Sequence, residues 1–533
     1  MKAKQKLPAA QRRAEQPQTL SRFTLSRIAD QLPLTFVPDP DSPPSPKQRY
    51  RSSYHYLGSK PLEDPSFLAT ASSFAIALCL WDWSGLRPWL AQIYRPSAKG
   101  QVPYDPVSLY LLSLYRRTDQ LTRTEVVRRV QQPEEGQWLR YQLGFTGPVP
   151  SESGLRYFEK QLSPALQQEI NALQVDSLYR AGLLPTQPEA SRPVSLSFDG
   201  MLHQARSRMR CGYVEHSCYQ PAPRPCRARK RGKRGCDCSR KRCADRCRYT
   251  TPRDPAARLI SYSAGKKHRR LSPNASVEQT GQKAGRRREV YGYYSYAGQL
   301  LDEELATYWL LPTFFAPATT GDRKLFPRAF TYLQARFPWF TIREVMADAG
   351  AGYANCLNLI WQAGALRLVD LLPAHGDTNP ATQRRNGYDE RGHPLCPRGY
   401  VLHSNGYDYR RRRAKWRCRK RCLPESDPKL PFADCPFLAP EHKHGFTAVV
   451  GRTHQDGNIR LAREIPYGSP AWQARYHQRN AAESRNSILQ RLGMKRLPVH
   501  GLDCSHVAVL QCELVANMNT LVRLVRQASQ LLA

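Results

Sequence analysis

Val194-Ser195-Leu196-Ser197-Phe198-Asp199-Gly200 is where the periodicity of this chain changes. Apolar residues alternate with serines there, the period of a half-buried strand. The stretch predicts a strand that delivers Asp199 at its end and stops at Gly200. Downstream, residues 289–296 and 311–316 predict two more strands. A helix over 324–337, a strand over 341–347 leading into Asp348, a helix over 355–363 and a strand over 366–371 follow. Strands followed by alternating helices and strands imply an α/β fold, a mixed sheet flanked by helices. Carboxylates at the ends of its strands, Asp199 and Asp348, would share one edge.

Upstream the pattern is helical. Asp105-Pro106 is an N-cap and first-turn pair, with Val107, Tyr110, Leu111 and Leu114 at helical spacing behind it. Pro150-Ser151 opens another helix, whose Leu155, Phe158, Leu162 and Leu166 form one apolar stripe. Residues 61–190 therefore predict an all-α N-terminal domain, preceded over 1–60 by a basic arm rich in Pro, Gln, Ser and Arg that is expected to be disordered. The sheet region, 191–373, carries a cysteine-rich basic insert at 203–250. Residues 374–467 break the alternation with Gly, Pro, Cys and basic runs such as 410–413, and are expected to form an insertion domain.

The main fold resumes over 468–533. Ser469-Pro470 starts a helix expected to reach about residue 492, on which Tyr476, Arg479, Glu483, Ser487 and Gln490 are three, four, four and three residues apart and share one face. A final helix over 505–532 carries Val509, Leu510, Leu514, Val515, Met518 and Leu521 and should close the core.

Lys and Arg total 81 against 44 Asp and Glu, a formal net charge of +37 with a pI near 10.0. Such a surface repels itself unless a polyanion neutralises it, and a phosphate backbone is the natural counterpart. Basic runs at 227–234, 266–270, 286–288 and 410–413 supply the contacts. The most apolar stretch, 67–80, contains Thr70, Ser72 and Ser73 and runs into Asp82, too little to span a bilayer. No apolar segment follows the basic N-terminus, so secretion is not expected. The expected protein is cytoplasmic, associated with the nucleoid, and lies on double-stranded DNA.

The 15 cysteines are expected to be reduced thiols. Cys396, Cys418, Cys422 and Cys435 could hold a structural Zn²⁺ in an insertion domain otherwise too polar to fold by core burial. The denser cluster, Cys211, Cys218, Cys226, Cys236, Cys238, Cys243 and Cys247, is either a second zinc site, with His203 and His216 as alternative ligands, or a flexible basic loop with incidental thiols.

Two aspartates at strand ends followed by Tyr476-x2-Arg479-x3-Glu483 on a helix resemble the DDE transposases of bacterial insertion sequences. The similarity covers most of residues 64–530 and extends to the surroundings of Tyr104-Asp105-Pro106-Val107 and Pro150-Ser151-Glu152-Ser153. The resemblance implies a ribonuclease H-like catalytic domain in which Asp199, Asp348 and Glu483 hold two Mg²⁺ or Mn²⁺ ions. It implies cleavage of DNA at the ends of a mobile element and joining of the 3′-OH to target DNA. Tyr476 and Arg479 would hold the terminal nucleotides, and the helical domain would recognise the ends, within a homodimer or larger assembly on DNA. The family signature places Lys or Arg at the position that is Gln490 here, so the adjacent Arg491 is the basic candidate.

The chemistry suits such a site. Three carboxylates within a few Å repel one another unless cations neutralise them. Two divalent ions about 3.5–4 Å apart would do so while activating the attacking oxygen and stabilising the leaving one. Singly, each residue has a plainer reading: an Asp at a strand end usually caps a turn, and Arg with Glu at helical spacing usually forms a surface ion pair. Glu513 competes with Glu483 as the third carboxylate but lacks the Tyr and Arg partners. The same residues also fit a metal-dependent nuclease without strand transfer, or a zinc-stabilised DNA-binding protein derived from a transposase and no longer catalytic.

Overall fold

The computed structural model describes residues 28, 30–37, 49–94, 102–188, 191–207, 254–264, 286–372, 379–411, 413–418, 435–438, 441–442, 445–450 and 459–530. The cysteines from Cys211 to Cys247, His216, Cys422, the basic runs at 227–234 and 266–270 and most of the arm lie outside them.

The principal element is a seven-stranded mixed sheet. Its strands are β1 (Val194–Gln204), β2 (Arg258–Ala264), β3 (Arg286–Asp302), β4 (Thr307–Leu310), β5 (Phe314–Pro317), β6 (Ile342–Ala347) and β7 (Leu366–Val369). Along the main path the order is β2-β3-β1-β6-β7, with β4 and β5 both paired to β3. β1 runs antiparallel to β3 and parallel to β6, and β6 parallel to β7. The sequence pattern predicts β1, β3, β5, β6 and β7, with β1 and β3 too short, and misses β2 and β4. β1 does not stop at Gly200: Gly200 pairs with Tyr296, and the ladder continues to Gln204 opposite Gly292. Glycine is required at that point for another reason, since a Cβ on Gly200 would fall 1.8 Å from the Tyr294 hydroxyl. Of the strand predicted over 311–316 only the second half forms, as β5, because Leu311-Pro312-Thr313 is irregular and separates it from β4; proline has no amide hydrogen to give to a ladder.

The helices include α1 (Ser73–Leu80), α2 (Pro106–Thr118), α3 (Arg123–Gln131), α4 (Glu152–Gln161), α5 (Pro164–Arg180), α6 (Asp322–Arg336), α7 (Ala354–Gln362), α8 (Pro470–Tyr476), α9 (Asn480–Arg491) and α10 (Leu502–Gln530), with further short helices and turns between them. Asp105 caps α2 as expected, accepting from the Val107 amide. Ser151 caps α4, but the stripe predicted to run on through Leu166 is two helices. Proline at 164 disfavours the helical conformation of Ser163 before it, so α4 ends and Ser163 caps α5 instead. α6 keeps Pro327 in its interior. The carbonyl four residues back, on Arg323, is left without its helical donor and faces the Cys356 thiol at 3.9 Å.

α10 is the axis on which the two regions close. Val509, Leu510, Leu514, Val515, Met518 and Leu521 are each at most 1% exposed, packed between α1, α2 and α5 on one side and β4 and β5 on the other. Asn171 donates to the Leu510 carbonyl and Gln174 to the Leu514 carbonyl, while Asn517 brackets Leu310 at the edge of β4, accepting from its amide at 2.8 Å and donating to its carbonyl at 2.9 Å. One apolar cluster runs unbroken from Leu78 and Leu111 through Phe198 and Leu300 to Leu521.

The insertion has its own small core. Strands β8 (His403–Asp408), β9 (Arg413–Arg417) and β10 (Thr447–Val450) form an antiparallel sheet, which with Leu371, Leu402, Leu461 and Ala462 buries Ala414, Trp416 and Val450. Cys396 and Cys418 pack at its margin, and Cys435 is half-buried. Among the described residues no group of three His, Cys, Asp or Glu side chains is placed to hold a metal ion, and none of the helices is long and apolar enough to cross a membrane.

Candidate active site

Strand register brings the aspartates together. Ser197 on β1 pairs with Met346 on β6, and two residues further along both parallel strands stand Asp199 and Asp348. Ala347 pairs with Val369 on β7, so Asp348 is likewise level with Asp370. Asp348 ends its strand by capping the turn Ala349–Ala351, accepting from the Gly350 amide at 2.9 Å. Asp199 sits inside β1 rather than at its end.

Asp322 was not singled out by sequence. It opens α6 after Gly321, where an acidic residue in a first turn is unremarkable. Folding places it against Asp348 with Tyr294 donating to its Oδ1 at 2.5 Å, a contact for which Gly200 clears the space. Gly350 is as tightly set: a Cβ there would lie 2.1 Å from Asp322 Oδ2. Burial, and after it the charge of Asp348, push the Asp322 carboxyl up to about 7. The same two causes in the same order push Asp199 up to about 6. Asp370 is also raised, by burial first, while hydrogen bonds from Tyr476 and Tyr467 oppose the shift.

One prediction follows for the protein without added metal. Asp322 has a folded pKa above its unfolded value of 3.8, so the folded state holds a proton that the unfolded state has lost, and stability falls as pH rises towards 7. Asp322→Asn is expected to stabilise the metal-free protein at pH 8 by roughly 2–4 kcal/mol, shrinking by more than half at pH 5. Urea unfolding midpoints at the two pH values check this.

The helix of the third carboxylate is built differently from its sequence pattern. α8 and α9 are not one continuous helix: a 3₁₀ turn, His477–Arg479, joins them. Ser469 caps α8 as expected, and Arg475 anchors it to the buried Glu344 of β6 at 2.6 Å. Tyr476 donates to Asp370 Oδ2 at 2.5 Å, and one face of its ring stacks on Trp472 with centroids 4.2 Å apart. Arg479 lies 5.6 Å from that ring's centroid, with Nη1 3.9 Å from Asp199 and Nη2 3.5 Å from Glu483. Glu483 is thus separated from the aspartates by a guanidinium, and its side chain is 55% exposed. Ser487, Gln490 and Arg491 are exposed as well. Beside the aspartates a cavity of about 330 Å³ is lined by Asp370, Arg391, Tyr467, Trp472, Tyr476 and Arg479 among others.

Two sequence candidates are corrected. Glu513 is not a site carboxylate. It is 1% exposed and paired with Arg485, itself fully buried, through Nε at 2.9 Å and Nη2 at 2.6 Å, with Thr313 donating at 2.7 Å. His203 does not serve as a zinc ligand, because both ring nitrogens are engaged in the core. Nδ1 faces the Met494 carbonyl, which can only accept, so Nδ1 carries the hydrogen and Nε2 accepts from Ser295. Burial pushes this imidazole down to about 4, which keeps it neutral.

The donors at the site are oxygen atoms throughout, the chemistry that suits Mg²⁺ and Mn²⁺ rather than zinc. Burial first, and after it the charge of Asp348, hold the Asp199 and Asp322 carboxyls up. A divalent cation between Asp199 and Asp348 would relieve that cost, although as they stand these side chains do not form a three-carboxylate metal group. No protein-family model, curated protein or solved structure matches the chain.

Proposed function

We propose that the chain is a DDE transposase with a ribonuclease H-like catalytic region, which cuts DNA at the ends of its element and joins the ends to target DNA. The observation that carries this reading is the parallel register that sets Asp199 level with Asp348, with Arg479, in the turn between the helices of Tyr476 and Glu483, beside them. Asp199 and Asp348 would hold the divalent ions with Glu483, whose approach requires Arg479 to leave its place between the carboxylates. Bound there, the ions activate the attacking oxygen and stabilise the leaving one. Arg479, released, is suited to a forked phosphate contact, and the aromatic cavity between Tyr467 and Tyr476 to the terminal nucleotides. Double-stranded DNA is the partner, on which two chains or more would bring two ends together.

The test is cleavage of DNA carrying the gene's own flanking sequences, with and without Mg²⁺. Specific nicks at the flanks are expected, and transfer of the new 3′-OH to a second duplex separates a transposase from a nuclease. Tight binding without metal-dependent cleavage would overturn the reading in favour of a non-catalytic DNA-binding protein.

The charge of the chain leads to a separate expectation. With a net charge of +37, binding should rest on phosphate contacts, and affinity should fall on the order of 10³-fold between about 50 and 200 mM salt. Titrations of labelled duplex across that range check it; a nearly flat dependence would remove the basic runs from the interface.

A further inference from the structure

We infer that Asn486 is a positioning residue for Asp199, fixing one carboxylate oxygen so that the other faces the site. The inference rests on the metal-dependent reading above and adds to it a residue that the sequence pattern does not single out. Asn486 lies on α9 one turn beyond Glu483, and its Nδ2 donates to Asp199 Oδ2 at 2.8 Å and to the Gly200 carbonyl at 3.3 Å. Its Oδ1 accepts from Arg485 Nη1 at 3.2 Å.

These three contacts determine which way the amide points. A guanidinium can only donate, whereas a carboxylate and a carbonyl can only accept. Turning the amide over would set oxygen against Asp199 and Gly200, and nitrogen against Arg485. The guanidinium is itself immobile, bonded to Glu513 on α10, to Thr313 Oγ1 at 2.5 Å and to Ser295 at 3.4 Å. A rigid line therefore runs from α10 through Glu513, Arg485 and Asn486 to Asp199. Asp199 Oδ2 is held at the end of that line, and Oδ1 is the atom turned to Arg479. Outer partners that hold a ligating carboxylate in one orientation typically tune metal affinity.

Asn486→Leu preserves the shape of the side chain and removes its donor. In the full chain, Mn²⁺ binding measured by calorimetry is expected to weaken roughly 10- to 100-fold, with an unfolding midpoint showing that the variant is folded. The discriminating measurement is the same substitution in an Asp199→Asn background, where it should add less than about twofold, because a residue acting through Asp199 has nothing left to act on. Unchanged Mn²⁺ affinity in the single variant would overturn the inference, as would an equal loss in both backgrounds, which is what a general structural role predicts. Mn²⁺ binding that depends on Asn486 in a protein unable to cut DNA would uphold the inference and overturn the cleavage reading. Failure of the wild type to bind Mn²⁺ would overturn both.

Discussion

Asp348→Asn is expected to lower metal-dependent cleavage by at least roughly 10²- to 10³-fold, the scale of losing a key electrostatic contact at a reacting phosphate. Binding to the same DNA should survive. Asp348 is level with Asp199 on one side and Asp370 on the other, and it touches Asp322, so its charge enters every pair at the sheet edge. The amide retains an oxygen to accept from the Gly350 N–H, which preserves the turn after β6. Loss of activity would thus report chemistry rather than unfolding. Glu483→Gln divides the possibilities further. An equal loss would make Glu483 the third ligand once Arg479 moves away. Full activity in Glu483→Gln with loss in Asp322→Asn would assign that place to Asp322. Gel-based cleavage on one duplex, with binding measured in parallel, reads all three variants.

The second large effect concerns stability. Glu513→Leu or Arg485→Met, made singly, is expected to cost about 3–5 kcal/mol, because each leaves a buried charge without its counterpart. The pair has almost no exposure, so solvent cannot make up the loss. Replacing both, as Arg485→Met with Glu513→Leu, should recover most of the stability, since desolvating two charges offsets much of their attraction. Chemical denaturation of the four proteins measures the cycle. A double variant as unstable as the singles would mean that Thr313, Ser295 and Asn486 need the guanidinium more than Glu513 does.

What the sequence could reveal follows from how local each signal is. Asp105-Pro106 and Ser469-Pro470 announce helix starts because a cap and its first turn are neighbours in the chain. The alternation from Val194 to Phe198 exposes β1, and with it Asp199. Asp322 was hidden because its partners, Tyr294 and Asp348, are 28 and 26 residues away in the chain and meet it only in the folded sheet. Arg485 between Ser484 and Asn486 reads as a solvated helix face, and only Glu513, on another helix, explains its burial. The 3₁₀ turn at His477–Arg479 contains neither Gly nor Pro; Arg475 bound to Glu344 and Tyr476 bound to Asp370 hold the preceding helix to the sheet. The insertion looked too polar for a core because Trp416, Leu402, Leu461 and Leu371 are scattered among charged residues.

The position of α10 has a consequence for the order in which the molecule can come into being. A ribosome delivers the helices of residues 73–180 first and the sheet next, yet the surface on which both close emerges after them, in Leu502–Gln530. Until then Asn171 and Gln174 lack the Leu510 and Leu514 carbonyls, and the edge of β4 lacks Asn517. A growing chain would display apolar helical faces and an open strand edge throughout synthesis. Interrupted translation would leave a fragment without its keystone, its apolar faces and strand edge still uncovered.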